Sequence, residues 1–209
     1  MRALLAFSFA VDRHNRRVAR AVAWLLLVMV LVGAFNAVAR WGERDLGLAL
    51  SSNALLELQW YLFSLVFLLG APYALRRSDH VRVDVLYGGL PARGRHWIDL
   101  LGGLLLLLPF CLFAVVVSLE FVADSWAERE MSSDPGGLPR WPLKAVVPVA
   151  FLLILLQGVS EVLKRLALLR GATPEEVGLD EAPDGAPRGA PAGAPAGPTP
   201  GTRDDGGAD

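Results

Sequence analysis

The sequence predicts an all-α membrane protein: four transmembrane helices, N-in/C-in, with a disordered C-terminal tail. Three observations carry this. Four apolar blocks are each about as long as a bilayer is thick, arginines crowd alternate connections, and the composition changes abruptly near the C-terminus. The 209 residues are 54% hydrophobic with a formal charge of −1, totals that hide this uneven distribution. A bilayer core is roughly 30 Å thick and takes about 20 apolar residues as a helix. Residues 18–39, 54–75, 97–120 and 143–163 meet that length. Each block is apolar around most of its circumference, whereas a soluble helix buries one stripe. Four buried helices of a soluble bundle are the alternative, disfavoured because all four blocks reach spanning length.

Residues 1–17 form a segment ahead of the first span. Ala3–Val11 is too short to cross, and Asp12–Arg20 lacks a small-residue cleavage site, so a cleaved signal peptide is not expected. Two readings stay open. The segment lies on the membrane surface, with Leu4, Leu5, Phe7 and Phe9 dipping into headgroups and Arg13, Arg16 and Arg17 facing anionic lipid, or it is a frayed terminus.

The transmembrane domain covers 18–166. Its first helix ends at Arg40-Trp41, and Ser51-Ser52-Asn53 offers cap-like residues before the second. Pro72 and Pro109 remove backbone donors inside helices two and three, predicting modest kinks. Ser132-Ser133-Asp134-Pro135-Gly136-Gly137-Leu138-Pro139 reads as a turn-rich surface loop. Pro142 then opens helix four, where a missing N–H costs little. From Gly171 to Asp209, Ala-Pro and Pro-Ala-Gly repeats lack the apolar content for a core and predict a disordered tail.

Orientation follows from Lys and Arg, which stay on the cytoplasmic side of short loops. Arg2, Arg13, Arg16, Arg17 and Arg20 precede the first span; Arg76, Arg77, Arg82, Arg93 and Arg95 lie in the second connection; Lys164, Arg165 and Arg170 follow the fourth. The first connection has only Arg40 and Arg44, and the third only Arg129 and Arg140, with Lys144 at its edge. Trp41, Trp60, Trp126 and Trp141 fall at the outer surface and Trp24, Tyr73, Tyr87 and Trp97 at the inner one, as interfacial anchors should.

Little in the chain invites chemistry. An ionisable group at a helix centre costs about 2.5–3.5 kcal/mol on insertion scales, and none sits at a centre here. Glu57, Asp99, Glu120, Lys144 and Glu161 lie near helix ends, where they snorkel or pair. Glu57 stands out, with Trp60 and Tyr61 at i+3 and i+4 and Arg40 or Arg44 at the same depth. His14, His80 and His96 have no metal-ligand spacing, no nucleophile–base pair stands out, and no glycine-rich phosphate loop follows a strand. No enzyme activity, cofactor or metal is expected. The lone Cys111 has no intrachain partner. Transporters place substrate at the midplane using broken helices and polar groups, but Asn36 and Ser64 are the main polar residues within these spans. An accessory subunit remains, packing small residues such as Gly33, Ala34, Ala37, Gly102 and Gly103 on another membrane protein. An autonomous homo-oligomeric transporter, or an accessory subunit of a different complex, is the alternative.

Specific residues go further. Glu57-Leu58-Gln59-Trp60-Tyr61-Leu62-Phe63, His80-Val81-Arg82-Val83-Asp84-Val85-Leu86-Tyr87 and Ile98-Asp99-Leu100-Leu101-Gly102 together resemble the small membrane subunit of tripartite ATP-independent periplasmic (TRAP) transporters, the DctQ-type family. Ser132-Ser133-Asp134, Gly136–Lys144 and Gln157–Glu161 are similar to one branch of it, and the resemblance covers about 14–166. It implies a scaffold in the bacterial inner membrane. Its partners would be a large DctM-type permease subunit, a periplasmic solute-binding protein and membrane lipids, with no nucleic acid, for sodium-coupled uptake of an organic acid or similar solute. Within that frame Glu57, Trp60 and Tyr61 are expected to face the large subunit or lipid headgroups. Asp84 and Asp99 are expected to pair with Arg82, Arg93 or Arg95, or to cap the following helices, although a solvated positive-inside loop needs no such role. Arg40, Arg44, Arg129, Arg140 and Trp141 are expected on the surface met by the binding protein.

Overall fold

The structure is a computed structural model that describes residues 2–47, 52–77 and 91–178. The helices are α1 (Arg2–Leu46), α2 (Asn53–Arg77), α3 (Ala92–Gly102), α4 (Leu108–Ala127), α5 (Trp141–Leu169) and the short α6 (Pro174–Val177). A π-helical turn, Gly103–Leu107, joins α3 to α4. Four stretches are long and apolar enough to cross a membrane: Leu4–Asp45, Asn53–Arg77, Arg93–Ala127 and Trp141–Leu169. The chain is an all-α, four-span membrane protein, as the hydropathy pattern predicts.

The organising helix is α5, which packs against α1, α2, α3 and α4, while α1 and α2 form a hairpin beside it. The interior reverses the pattern of a soluble core. Gln157, Ser160, Lys164, Asn15, Asp12 and Ser8 are buried, whereas Leu105, Leu106, Phe110, Phe113, Phe63 and Phe67 face outward. In lipid an exposed leucine loses nothing, so close contact falls to small residues and polar pairs. Gly158 shows the first device: a methyl group there would come within 3.0 Å of both Leu107 and Leu108.

The bundle has two ends. The 128–140 connection gathers at one, with the starts of α2 and α5. Arg76, Lys164 and the start of α3 gather at the other.

Three boundaries differ from expectation. The N-terminal segment 1–17 is not set apart, because one 45-residue helix runs through it from Arg2 to Leu46. At 1.5 Å per residue α1 is about 68 Å long, more than twice a bilayer core. A frayed terminus is also excluded, since Ser8, Asp12 and Asn15 bind α5 and hold this stretch helical. The third span starts earlier and ends later than 97–120, and its irregularity lies just ahead of Pro109. Proline lacks an N–H and its ring crowds the carbonyl four residues back; the wider turn at Gly103–Leu107 accommodates this. The path after Gly171 is ordered as far as Gly178. Thr173 and Glu176 form a capping box on α6, and Val177 is fully buried. Arg82 and Asp84 lie outside the described residues, as does the tail beyond 178.

Candidate functional site

The 128–140 connection is tied down along its length. Glu130 and Arg140 close its neck through a backbone bond, Arg140 N to Glu130 O at 2.9 Å, and Ser132 N donates to Leu138 O at 3.2 Å. Gly136, at φ +74, turns the chain at the tip where a side chain would be strained. Arg129 takes φ 47, an uncommon value for a non-glycine residue, as the chain leaves α4.

Glu57 fastens this loop to α2. One carboxylate oxygen accepts from the Ser132 hydroxyl, and the other accepts from Leu138 N at 2.5 Å. The side chain is 5% exposed. One turn on, the Tyr61 hydroxyl donates to Leu138 O at 3.3 Å, and Asn53 Nδ2 donates to Pro135 O at 3.1 Å. Three polar residues of α2, at i, i+4 and i+8, thus hold three carbonyl or amide positions of the loop. Of the trio Glu57, Trp60 and Tyr61, only Trp60 points away, 66% exposed.

A second tie joins the loop to α4 and α5. The Glu130 carboxylate accepts from Lys144 Nζ and from Ser125 Oγ at 2.7 Å. The Lys144 ammonium also sits 4.1 Å from the centre of the Phe121 ring, a cation–π contact. The bond from Lys144, then that from Ser125, holds the Glu130 carboxyl below the ordinary glutamate value of 4.5. Trp141 packs edge-on against Trp126 with ring centres 4.4 Å apart, and Arg140 lies close enough for its charge to act on both Glu57 and Glu130.

At the opposite end a buried polar cluster joins α1, α2 and α5. Lys164 Nζ bonds Asp12 Oδ2 at 2.8 Å and Glu161 Oε1 at 2.9 Å, while Arg76 Nε approaches the same Asp12 oxygen at 3.2 Å. Gln157 donates to Asp12 Oδ1 and Glu161 Oε1, each at 3.0 Å, and accepts from Asn15 Nδ2 at 2.7 Å. Two carboxylates face two cations, so the cluster is neutral. Asp99, placed on α3, pairs with Arg165 of α5 at 3.3 Å, and Arg165 also meets His96 Nδ1 at 3.3 Å.

The Asp12 cluster was not foreseen from the sequence. A signal exists: Gln157, Ser160, Glu161 and Lys164 fall at i, i+3, i+4 and i+7, a polar stripe on a span, and Ser8, Asp12 and Asn15 at i, i+4 and i+7 answer it. Among the described residues no group of three or more His, Cys, Asp or Glu side chains is placed to hold a metal ion.

Residues 49–168 match the family model for the DctQ component of tripartite ATP-independent periplasmic transporters. The chain belongs to the DctQ family. It is therefore a small membrane subunit of a TRAP-type transporter, from a family that does not consist of enzymes. The DctQ match begins just before α2 and ends within the last residues of α5, so it takes in the whole loop with its ties from Glu57 and Lys144. No curated protein and no solved structure matches the chain.

Proposed function

We propose that this DctQ subunit is a rigid scaffold in the bacterial inner membrane. It braces a large DctM-type permease subunit and presents the 128–140 loop to a periplasmic solute-binding protein, during sodium-coupled uptake of an organic acid or similar solute. The observation that carries this reading is the double fastening of that loop, by Glu57 from α2 and by Lys144 from α5. A docking surface that keeps its shape before the partner arrives loses less conformational entropy on binding. With arginines retained on the cytoplasmic side, the loop end faces the periplasm. Arg129, Arg140 and Trp141 then form its outward face, with Arg40 and Arg44 beside it. Trp60 faces the large subunit or the lipid headgroups. At the other end, Asp99 is held by Arg165, and Arg82 and Asp84 belong to the cytoplasmic connection that organises this face.

The test is reconstitution. The large subunit should co-purify with this chain, and sodium-driven uptake in liposomes should need both subunits and the binding protein. Ion-driven flux through this chain alone would replace the scaffold with an autonomous transporter.

A further inference from the structure

The segment of α1 nearest the loop end carries an unfilled groove of about 420 Å³, lined by Gly33, Asn36, Ala37, Arg40, Trp41 and Arg44. Their spacing of three and four places them on one face of the helix. Gly33 sits against the Gln59 side chain in the second turn of α2. From there the groove climbs past the start of α2, a rise of about 16 Å to Arg44.

Asn36 is 5% exposed, and its Oδ1 has no hydrogen-bond partner. A buried carbonyl without a donor is uncommon and calls for one. Within the same groove Arg40 and Arg44 are exposed, and among the described residues neither has an ion-pair partner. Gly33 is closed by Gln59, and Ala37, exposed one turn nearer the loop end, is the small residue that lets a second helix approach closely. Asn36, Arg40 and Arg44 follow one another at one turn each, about 6 Å. A neighbouring helix repeats its own side chains at that interval.

We infer that this groove seats a transmembrane helix of the large permease subunit. That helix carries a hydrogen-bond donor opposite Asn36 and at least one carboxylate one or two turns nearer the membrane surface, opposite Arg40 and Arg44. The assignment rests on the scaffold reading above and sharpens it: the two arginines bind the permease rather than the solute-binding protein.

The test is co-purification of the large subunit with the full chain in detergent, alongside thermal unfolding of the chain alone. Ala37→Leu fills the seat, and R40E/R44E reverses its charge; each should cut recovery of the large subunit about tenfold or more and leave the chain's own unfolding midpoint unchanged. Asn36→Leu should act in opposite directions, raising the midpoint of the isolated chain by removing the unpaired carbonyl and lowering recovery of the complex. Exchanging a carboxylate on the partner helix for arginine should restore recovery with R40E/R44E. If the wild-type chain fails to retain the large subunit, the scaffold reading falls together with this one. If the wild type retains it and the variants do so equally, the groove assignment alone falls. Loss of bound phospholipid from R40E/R44E in native mass spectra, with the large subunit retained, would give the groove to a lipid headgroup and overturn the proposal.

Discussion

Lys164 Nζ lies 2.8 Å from Asp12 Oδ2, and the two residues are 152 positions apart in the chain. Lys164 is fully buried and Asp12 nearly so. Removing one partner of such a pair strands the other charge away from water, at a cost of about 3–5 kcal/mol.

Lys164→Met should therefore destabilise the bundle by about 3 kcal/mol, at the lower end of that range because Arg76 remains beside Asp12. Adding Asp12→Asn should recover part of the loss, since the stranded carboxylate disappears. Unfolding of the two single variants and the double variant in detergent measures the coupling; strictly additive effects would contradict a direct pair.

Glu57 acts on the loop rather than on the bundle as a whole. Glu57→Ala removes the acceptor for both the Ser132 hydroxyl and Leu138 N, so the 132–138 amides should exchange with deuterium faster, by about tenfold for the loss of two charge-assisted bonds. Amides in the middle of α2 and α5 should keep their protection. Faster exchange throughout the chain would mean that Glu57 supports the bundle and not the loop.

Gly137→Ala should reproduce that behaviour without touching a charge. A methyl group at Gly137 would fall 2.5 Å from Ser132 Cβ and 2.8 Å from Glu57 Oε1, too close for either to stay in place. Limited proteolysis should cut the variant within the loop sooner than the wild type, and a digestion rate equal to wild type would show that the space is freely available.

The tie between Glu130 and Lys144 sets a pH dependence. The folded carboxyl titrates below 4.5, chiefly through the bond from Lys144. A lowered folded value contributes stability that is fully present above the unfolded value and is lost as pH falls through the folded one. Loop protection attributable to Glu130 should be flat from neutral pH to about 5 and decline in more acidic solution. Glu130→Gln should abolish that decline, and Glu57→Ala should still speed loop exchange in that background.

Much of the architecture is legible in the chain because the bilayer imposes one length on every span. All four spans are visible as apolar blocks, and Trp41, Trp126 and Trp141 fall near the ends of their helices. Packing is less visible. Glu57 stands out in the sequence as an acid beside two aromatic residues, but its partners Ser132 and Leu138 are 75 and 81 positions away. No local pattern specifies that closure. Asp12 reads as part of a basic leader because the residues around it are arginines, and only the polar stripe of α5 turns it inward. The early start of α1 has the same origin: hydropathy ends a span where charges begin, whereas Ser8, Asp12 and Asn15 prolong the helix by binding another one.

The long separation between Asp12 and Lys164 gives the molecule an order in time. Synthesis sets Asp12 in place first and adds Arg76 with the second span, so the carboxylate waits beside one guanidinium. The Gln157 amide, the Ser160 hydroxyl and the Lys164 ammonium all arrive on the last span. A half-made chain thus holds Asp12 with a single partner, and the fourth span adds Lys164 and Glu161 together, so the cluster gains its remaining bonds without a change in net charge.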